Sequence, residues 1–149
     1  MSLQSNEFVT IRLAGQLLGI PVLLVHDVLK LQNVTRVPLS PGWVAGVLNL
    51  RGRIVTAIDL RNRLGLPPRG ANEKAPMSVV VDHKGEPYSL LIDSVGEVLR
   101  LDDTLYEKNP VTLDARWREV SNGIYRLQDE LLVVLDVRRL LDMDQALAA

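Results

Sequence analysis

The sequence predicts a mostly β protein, a small barrel or sandwich with one or two short helices. Three observations predict this fold: short apolar runs rich in β-branched residues, glycine-containing links between those runs, and an internal repeat. With 149 residues and a hydrophobic fraction of 47%, the chain is long enough to bury a substantial core in one domain. We expect that domain to cover residues 8–142, with short tails at residues 1–7 and 144–149.

Eight apolar runs have the length and composition of strands. They cover residues 8–13, 17–22, 44–50, 53–60, 78–82, 88–93, 123–127 and 130–136. The links at residues 14–16, 51–53 and 84–86 each have a central glycine, which supplies the positive φ of a tight hairpin turn. Two segments, residues 59–64 and 136–143, begin with aspartate and keep apolar residues on one face, so they predict short helices.

The chain contains two copies of one unit. A shift of 70 places residues 8–31 over residues 78–101, and a shift of 77 places residues 46–64 over residues 123–141. The second alignment pairs aspartate with aspartate at the start of each predicted helix. We infer that each copy forms five strands followed by a helix, as in a duplicated small barrel.

The repeat divides the domain into two lobes, residues 8–66 and 77–142. Residues 67–76, with three prolines and one glycine, form the segment between them. The sequence leaves open whether the first strand pairs within its own lobe or with the other one. Arg51 in the first copy aligns with Gln128 in the second, which indicates a lobe-specific role for this charge; alternatively, the turn accepts any polar residue.

Composition excludes several classes of protein. A net charge of −1 argues against binding to duplex nucleic acid, and the absence of cysteine excludes disulfides, thiolate metal sites and cysteine nucleophiles. The longest apolar stretch, residues 17–25, has nine residues, whereas a membrane-spanning helix needs about 20. No targeting segment is visible at the start of the sequence. We expect a cytoplasmic protein without direct membrane insertion.

The candidates for catalysis and metal binding are few. The two histidines, His26 and His83, have no neighbouring cluster of carboxylates, and Asp27 points to the opposite face of a strand from His26. The sequence has no motif typical of hydrolases, zinc peptidases, or P-loop and dinucleotide-binding proteins. Arginines within residues 51–69 leave one enzymatic alternative, a small β-barrel hydrolase or phosphate binder, but a solvated face explains them more simply. We expect no enzyme, no metal and no cofactor.

Residues 49–65, NLRGRIVTAIDLRNRLG, resemble the hallmark N-L-R-G-x-[IV]-x-x-x-[IV]-D-L-R-x-x-[LF]-G of the CheW family. Residues 91–98, LIDSVGEV, resemble a second block of that family, and the resemblance covers about residues 8–142. It implies two SH3-like five-stranded β-barrel lobes packed side by side. It also implies a protein without enzymatic activity.

The function that this resemblance implies is that of a scaffold. CheW-like proteins couple the cytoplasmic signalling tips of chemoreceptors to the regulatory domain of the histidine kinase CheA in bacterial chemotaxis, at membrane receptor arrays. Carried over from the family, the receptor-binding groove between the lobes comprises Val25, Asp27, Gly46, Arg51 and Val79. The alternatives are an adaptor of a non-flagellar array, such as type IV pilus or surface sensing, and a detached CheW-like module of a larger kinase or receiver protein.

Overall fold

The computed structural model of the protein describes residues 6–30, 33–70, 72–73 and 75–148. Residues 1–5 of the predicted N-terminal tail and Ala149 of the C-terminal tail lie outside these ranges. The strands are β1 (Glu7–Leu13), β2 (Gln16–Pro21), β3 (Val25–Lys30), β4 (Val44–Leu50), β5 (Arg53–Asp59), β6 (Met77–His83), β7 (Glu86–Ile92), β8 (Ser94–Arg100), β9 (Tyr106–Glu107), β10 (Ser121–Arg126) and β11 (Leu131–Leu135). The α-helices are α1 (Leu60–Arg63), α2 (Ala115–Glu119) and α3 (Val137–Ala148).

All eight predicted runs form strands, which confirms the mostly β fold class. Three further strands, β3, β8 and β9, lie outside those runs. β3 and β8 contain no fully buried side chain, so their apolar content is too low to stand out in the sequence. The helix count is also higher than predicted, because Asp114 caps α2 through the backbone N–H of Arg116.

The two sheets have the same architecture. The six-stranded sheet has the order β8-β1-β2-β11-β10-β9, and the five-stranded sheet has the order β3-β6-β7-β5-β4. Numbered within each repeat, both sheets have the order 3-1-2-5-4, and β9 is an additional strand on the edge of the larger sheet. Among the described residues both hydrogen-bonded orders are open, so the sheets are not the closed barrels that the sequence analysis expected.

Each sheet combines strands of both repeats. β1 pairs with β8 rather than β3, and β3 pairs with β6, so the first hairpin of each repeat completes the sheet of the other. The predicted lobes, residues 8–66 and 77–142, are therefore segments of sequence that both sheets share. Duplicated units present equivalent edges, so a hairpin can pair with the other copy as well as with its own.

The main core lies between the two sheets. Because side chains alternate along a strand, Val9, Ile11 and Leu13 of β1 face this core, whereas Phe8 joins a smaller cluster on the other face. Apolar residues from all three helices close the main core. Burial of each large apolar side chain contributes about 1.5–3 kcal/mol, so this shared layer holds the two sheets together. Within the part of the chain described, no helix has the length and apolar character to cross a membrane.

Aspartates cap the two predicted helices. Asp59 Oδ1 accepts hydrogen bonds from the N–H groups of Arg61 and Asn62, 3.1 and 3.4 Å away. Asp136 Oδ1 accepts equivalent bonds from the N–H groups of Arg138 and Arg139, at 3.0 and 3.3 Å. These bonds satisfy N–H groups that have no partner within the helix, and they confirm both predicted helix starts.

Candidate functional site

Arg51 stands at the tip of the hairpin that joins β4 to β5. Leu50 pairs with Arg53, so the loop between them has only two residues, Arg51 and Gly52. Both have positive φ, 52° and 85°, which is the conformation of a type I′ turn. The turn directs Arg51 into solvent, where its side chain is 74% exposed. Nothing in the core holds this arginine, so a binding partner can reach it.

Asp27 on β3 is the ion-pair partner of Arg51. Arg51 Nη1 lies 2.8 Å from Asp27 Oδ2, and the Asp27 side chain is only 20% exposed. Among the described residues no N–H group donates a hydrogen bond to this oxygen, so the contact is an ion pair rather than an aligned hydrogen bond. The other oxygen, Oδ1, accepts a hydrogen bond from the Val28 N–H at 3.0 Å. Asp27 is thus fixed to its strand and holds the flexible arginine near the sheet.

The pair lies at the rim of a small cleft of about 150 Å³ on the five-stranded sheet. The aliphatic lining comprises Leu50, Val55, Val80 and Pro87. The polar lining comprises four ionised side chains and one histidine: Asp27, Arg51, Arg53, Asp82 and His26. His26 Nε2 lies 2.7 Å from Asp82 Oδ2, so a second pair stands beside that of Asp27 and Arg51. The cleft can accept an apolar side chain and hold a charged one at its rim.

The other three predicted groove residues lie behind this surface. Val79 is fully buried in the main core, and Val25 is half-buried against the same core. Gly46 is buried too, and a Cβ atom there would lie 2.2 Å from the carbonyl oxygen of Thr35. The structure therefore brings Asp27 and Arg51 together at the surface and places the other three in supporting positions. The groove as a set of five residues stays a prediction.

His26, Asp82 and Arg53 were not assigned to the cleft by sequence reasoning. The side chain of His26 is 55% exposed. Its contact with Asp82 depends on the pairing of β3 with β6, which belong to different repeats. The sequence left this exchange open, so it carried no signal for the contact.

A second charged cluster surrounds Asp93, between β7 and β8. Arg61 donates to its carboxylate from Nη2 at 2.6 Å and from Nε at 3.1 Å, the Ala14 N–H donates at 2.8 Å, and Arg69 donates as well. Burial raises the pKa of the Asp93 carboxyl, but the hydrogen bonds from Arg61, Ala14 and Arg69 outweigh burial and hold the pKa below its usual value. Arg61 also contacts Glu73 and the carbonyl of Pro67. This cluster fastens the segment after α1 to the sheets.

The described residues contain no group of three or more histidines and carboxylates arranged to hold a metal ion. A charged pair at the rim of a partly aliphatic cleft, carried by a sheet, can contact both apolar and charged side chains of a partner. The fold and the site together define a protein-interaction module.

The family is shown by comparison with known proteins. A family model described as the CheW-like domain matches residues 7–145, so the chain belongs to the CheW family. The chemotaxis protein CheW of Helicobacter pylori is 31% identical over 138 residues, which cover 93% of this chain and 82% of that protein. CheW of Thermotoga maritima is 27% identical over 142 residues, covering 95% and 91%.

A solved structure agrees with this assignment. The crystal structure of the scaffolding protein TtCheW from Thermoanaerobacter tengcongensis matches with a TM-score of 0.77 and 29% identity, over 89% of each chain. The resemblance and the fold class predicted from the sequence are therefore confirmed. The chain is a non-enzymatic adaptor of the CheW family.

Proposed function

We propose that this chain couples the cytoplasmic signalling tips of chemoreceptors to the regulatory domain of the histidine kinase CheA. It would act in the cytoplasm, recruited to membrane receptor arrays. Family membership supports the adaptor role. The observation that carries the receptor assignment is the ion pair of Asp27 and Arg51, with its 2.8 Å separation, at the rim of an aliphatic cleft.

The geometry suits a helical partner. An apolar side chain of a receptor helix would enter the cleft against Leu50 and Pro87, and Arg51 would meet a polar or acidic group beside it. Docking removes water from Arg51, which strengthens its electrostatic contacts with Asp27 and with the partner. The apolar contact then supplies affinity, while the charge fixes the register of the helix.

The test is a binding assay with the purified full chain. We expect Arg51→Glu to weaken binding to a receptor signalling-tip fragment by about 2 kcal/mol, which is roughly 30-fold. The matched control is Arg126→Glu, because Arg126 is also an exposed arginine, 59% exposed, in a strand-end ion pair, with Glu107 in the other sheet. Calorimetric titration measures both variants. Equal binding of both variants would show that the receptor does not use this cleft.

The kinase half of the proposal has its own test. Wild-type protein should form a ternary complex with the receptor fragment and the kinase regulatory domain, which size-exclusion chromatography would detect. Failure to bind either partner would refute the coupling function.

One comparison supports a second candidate. The chemotaxis protein CheV3 of Helicobacter pylori is 23% identical over 154 aligned positions, which cover 95% of this chain but only 49% of CheV3. A match to about half of a longer chemotaxis protein supports the alternative of a CheW-like module within a larger kinase or receiver protein. An adaptor of a non-flagellar array, such as type IV pilus or surface sensing, stays a prediction. Purification from native cytoplasm with mass spectrometry would distinguish these by the kinase and receptors recovered.

A further inference from the structure

A second cavity, of about 250 Å³, lies beside the start of α3. Leu24, Asp82, His83 and Arg138 are among the residues that line it. Asp82 also lines the cleft beside Arg51, so the two depressions adjoin each other. A partner that docks in the cleft can therefore extend into this cavity without leaving the surface.

The internal repeat identifies the residues that occupy the equivalent place beside α1. Arg138 is the counterpart of Arg61 at the shift of 77, and Leu23 is the counterpart of Asp93 at the shift of 70. Arg61 is 9% exposed and makes two hydrogen bonds to the Asp93 carboxylate. In the six-stranded sheet, Leu23 follows β2 at the position where Asp93 follows β7 in the five-stranded sheet, so Arg138 has a leucine where Arg61 has a carboxylate.

Arg138 accordingly lies open to solvent. Its side chain is 80% exposed, and its Nε lies 4.0 Å from Asp136 Oδ1, a longer separation than those of Arg61 from Asp93. Leu24, which lines the cavity with Arg138, is 38% exposed, and its neighbour Leu23 is 76% exposed, so apolar surface adjoins this exposed cation. An acidic group with an apolar neighbour would complement both features.

Two acidic residues already line the cavity, and each has contacts of its own. Asp136 accepts the helix-capping hydrogen bonds of α3, and Asp82 is paired with His26 at 2.7 Å. At the start of α1, Asp59 occupies the place that Asp136 has at the start of α3. Arg61 binds Asp93 there although Asp59 is close by. A capping aspartate is therefore compatible with a second carboxylate on the same arginine.

We propose that Arg138 binds an acidic side chain of the receptor signalling tip, in the place that Asp93 takes beside Arg61. Leu23 and Leu24 would contact the apolar neighbour of that acidic residue. The receptor is the occupant because this cavity continues the cleft at Arg51, and in this respect the inference rests on the proposed function.

The first test reverses the charge of Arg138. We expect Arg138→Glu to weaken binding to the receptor signalling-tip fragment about tenfold, and the loss to shrink as salt is raised. Arg118→Glu is the matched control, because Arg118 is an exposed arginine on α2 and the variant has the same net charge. Binding to the kinase regulatory domain should stay within about twofold of wild type for both variants.

The second test supplies the missing carboxylate from within the chain. Leu24 lines the cavity together with Arg138, so Leu24→Asp places an acidic group within its reach, while Leu24→Asn has the same shape without the charge. We expect Leu24→Asp to bind the receptor fragment about tenfold more weakly than Leu24→Asn, because the introduced carboxylate competes for Arg138.

Three outcomes would overturn the inference while the proposed function stands. Receptor binding by Arg138→Glu that equals the Arg118→Glu control would remove the cavity from the interface. Equal binding by Leu24→Asp and Leu24→Asn would show that no carboxylate is recognised. Loss of kinase binding alone would assign the surface to the kinase. Failure of wild-type protein to bind the receptor fragment would refute the proposed function itself and, with it, this occupant.

Discussion

The α1 end and the α3 end of the molecule occupy equivalent positions in the internal repeat, but they differ in the burial of their arginines. At the α1 end, Arg61, Asp93 and Arg69 form a mostly buried charge cluster. At the α3 end, Arg138 is exposed beside a cavity. Features present at both ends, such as the capping aspartates and the order 3-1-2-5-4, are what the fold requires. Of the two equivalent arginines, Arg138 is therefore the one available for binding, because Arg61 is buried beside Asp93.

The largest difference between the ends should appear when Asp93 is neutralised. Asp93→Asn removes the negative charge that faces the buried guanidinium of Arg61, whose contacts with Glu73 and the Pro67 carbonyl do not replace it. We expect a loss of about 3 kcal/mol in the free energy of unfolding, the lower end for breaking a buried pair. Arg138→Ala at the open end should cost less than about 0.5 kcal/mol. Urea unfolding would measure both, and equal losses would contradict the comparison.

The pH dependence of stability provides a second measurement at Asp93. The pKa of this carboxyl is lower in the folded protein than its unfolded value of about 3.9. The pair therefore stabilises the fold fully above that value, and the stabilisation is lost as pH falls through the lower folded pKa. The difference in free energy of unfolding between wild type and Asp93→Asn should be constant above about pH 5 and should decrease in stronger acid. A difference that does not depend on pH would exclude the ionised pair as its cause.

The repeat glycines Gly46 and Gly123 should respond unequally to alanine. A Cβ at Gly46 would meet the Thr35 backbone at 2.2 Å, in a conformation with φ of +148°. Since backbone cannot move aside, we expect Gly46→Ala to cost about 3 kcal/mol. A Cβ at Gly123 would meet the Tyr106 side chain, which is 42% exposed and can rotate away at the loss of its bond to the Asn122 carbonyl.

For Gly123→Ala we therefore expect about 1 kcal/mol. Chemical denaturation of the two variants side by side tests the order. A larger loss for Gly123→Ala would mean that Tyr106 is held more firmly than its exposure indicates.

The two capping aspartates should differ by a smaller amount. Asp59→Ala should cost about 1 kcal/mol, the usual value of an N-cap. Asp136 is 9% exposed and starts the longer helix, so Asp136→Ala should cost about 2 kcal/mol because the freed N–H groups are less accessible to water. Thermal melts measured by circular dichroism would rank them. Melts that match wild type for both variants would show that the caps contribute nothing.

Arg51 should have the smallest effect on folding. Its pair with Asp27 is exposed on the arginine side, so Arg51→Ala should change stability by less than about 1 kcal/mol, as should Gln128→Ala at the aligned position. Only Arg51→Ala should impair receptor binding. A variant that unfolds would instead make Arg51 a structural residue.

Most of the fold was predictable because its strands bury one or two faces. Strands such as β6 and β11 are almost entirely buried and read as continuous apolar runs. β3 and β8 contain no fully buried side chain, so only the repeat alignment indicated them. The exchange of hairpins was not predictable, because the pairing edges of the two copies are equivalent.

Only those parts of the candidate site that depend on residues close together in the sequence were predictable. The two-residue turn with Gly52 indicated an outward arginine, and the comparison with Gln128 distinguished it from a structural residue. The burial of Val79 depends on the packing of two sheets, which no local pattern contains. The pair of His26 and Asp82, at 2.7 Å, depends on strands from different repeats.

The exchange of hairpins also sets an order for folding during synthesis. All strands of the five-stranded sheet lie within residues 25–92, whereas the larger sheet joins β2 to β11 through contacts such as that of Leu18 with Val133. All strands of the five-stranded sheet leave the ribosome first, whereas the N-terminal hairpin can complete its own sheet only after β11 has emerged. During that interval β2 offers an unpaired edge, so the nascent chain is then most prone to pair with a neighbour.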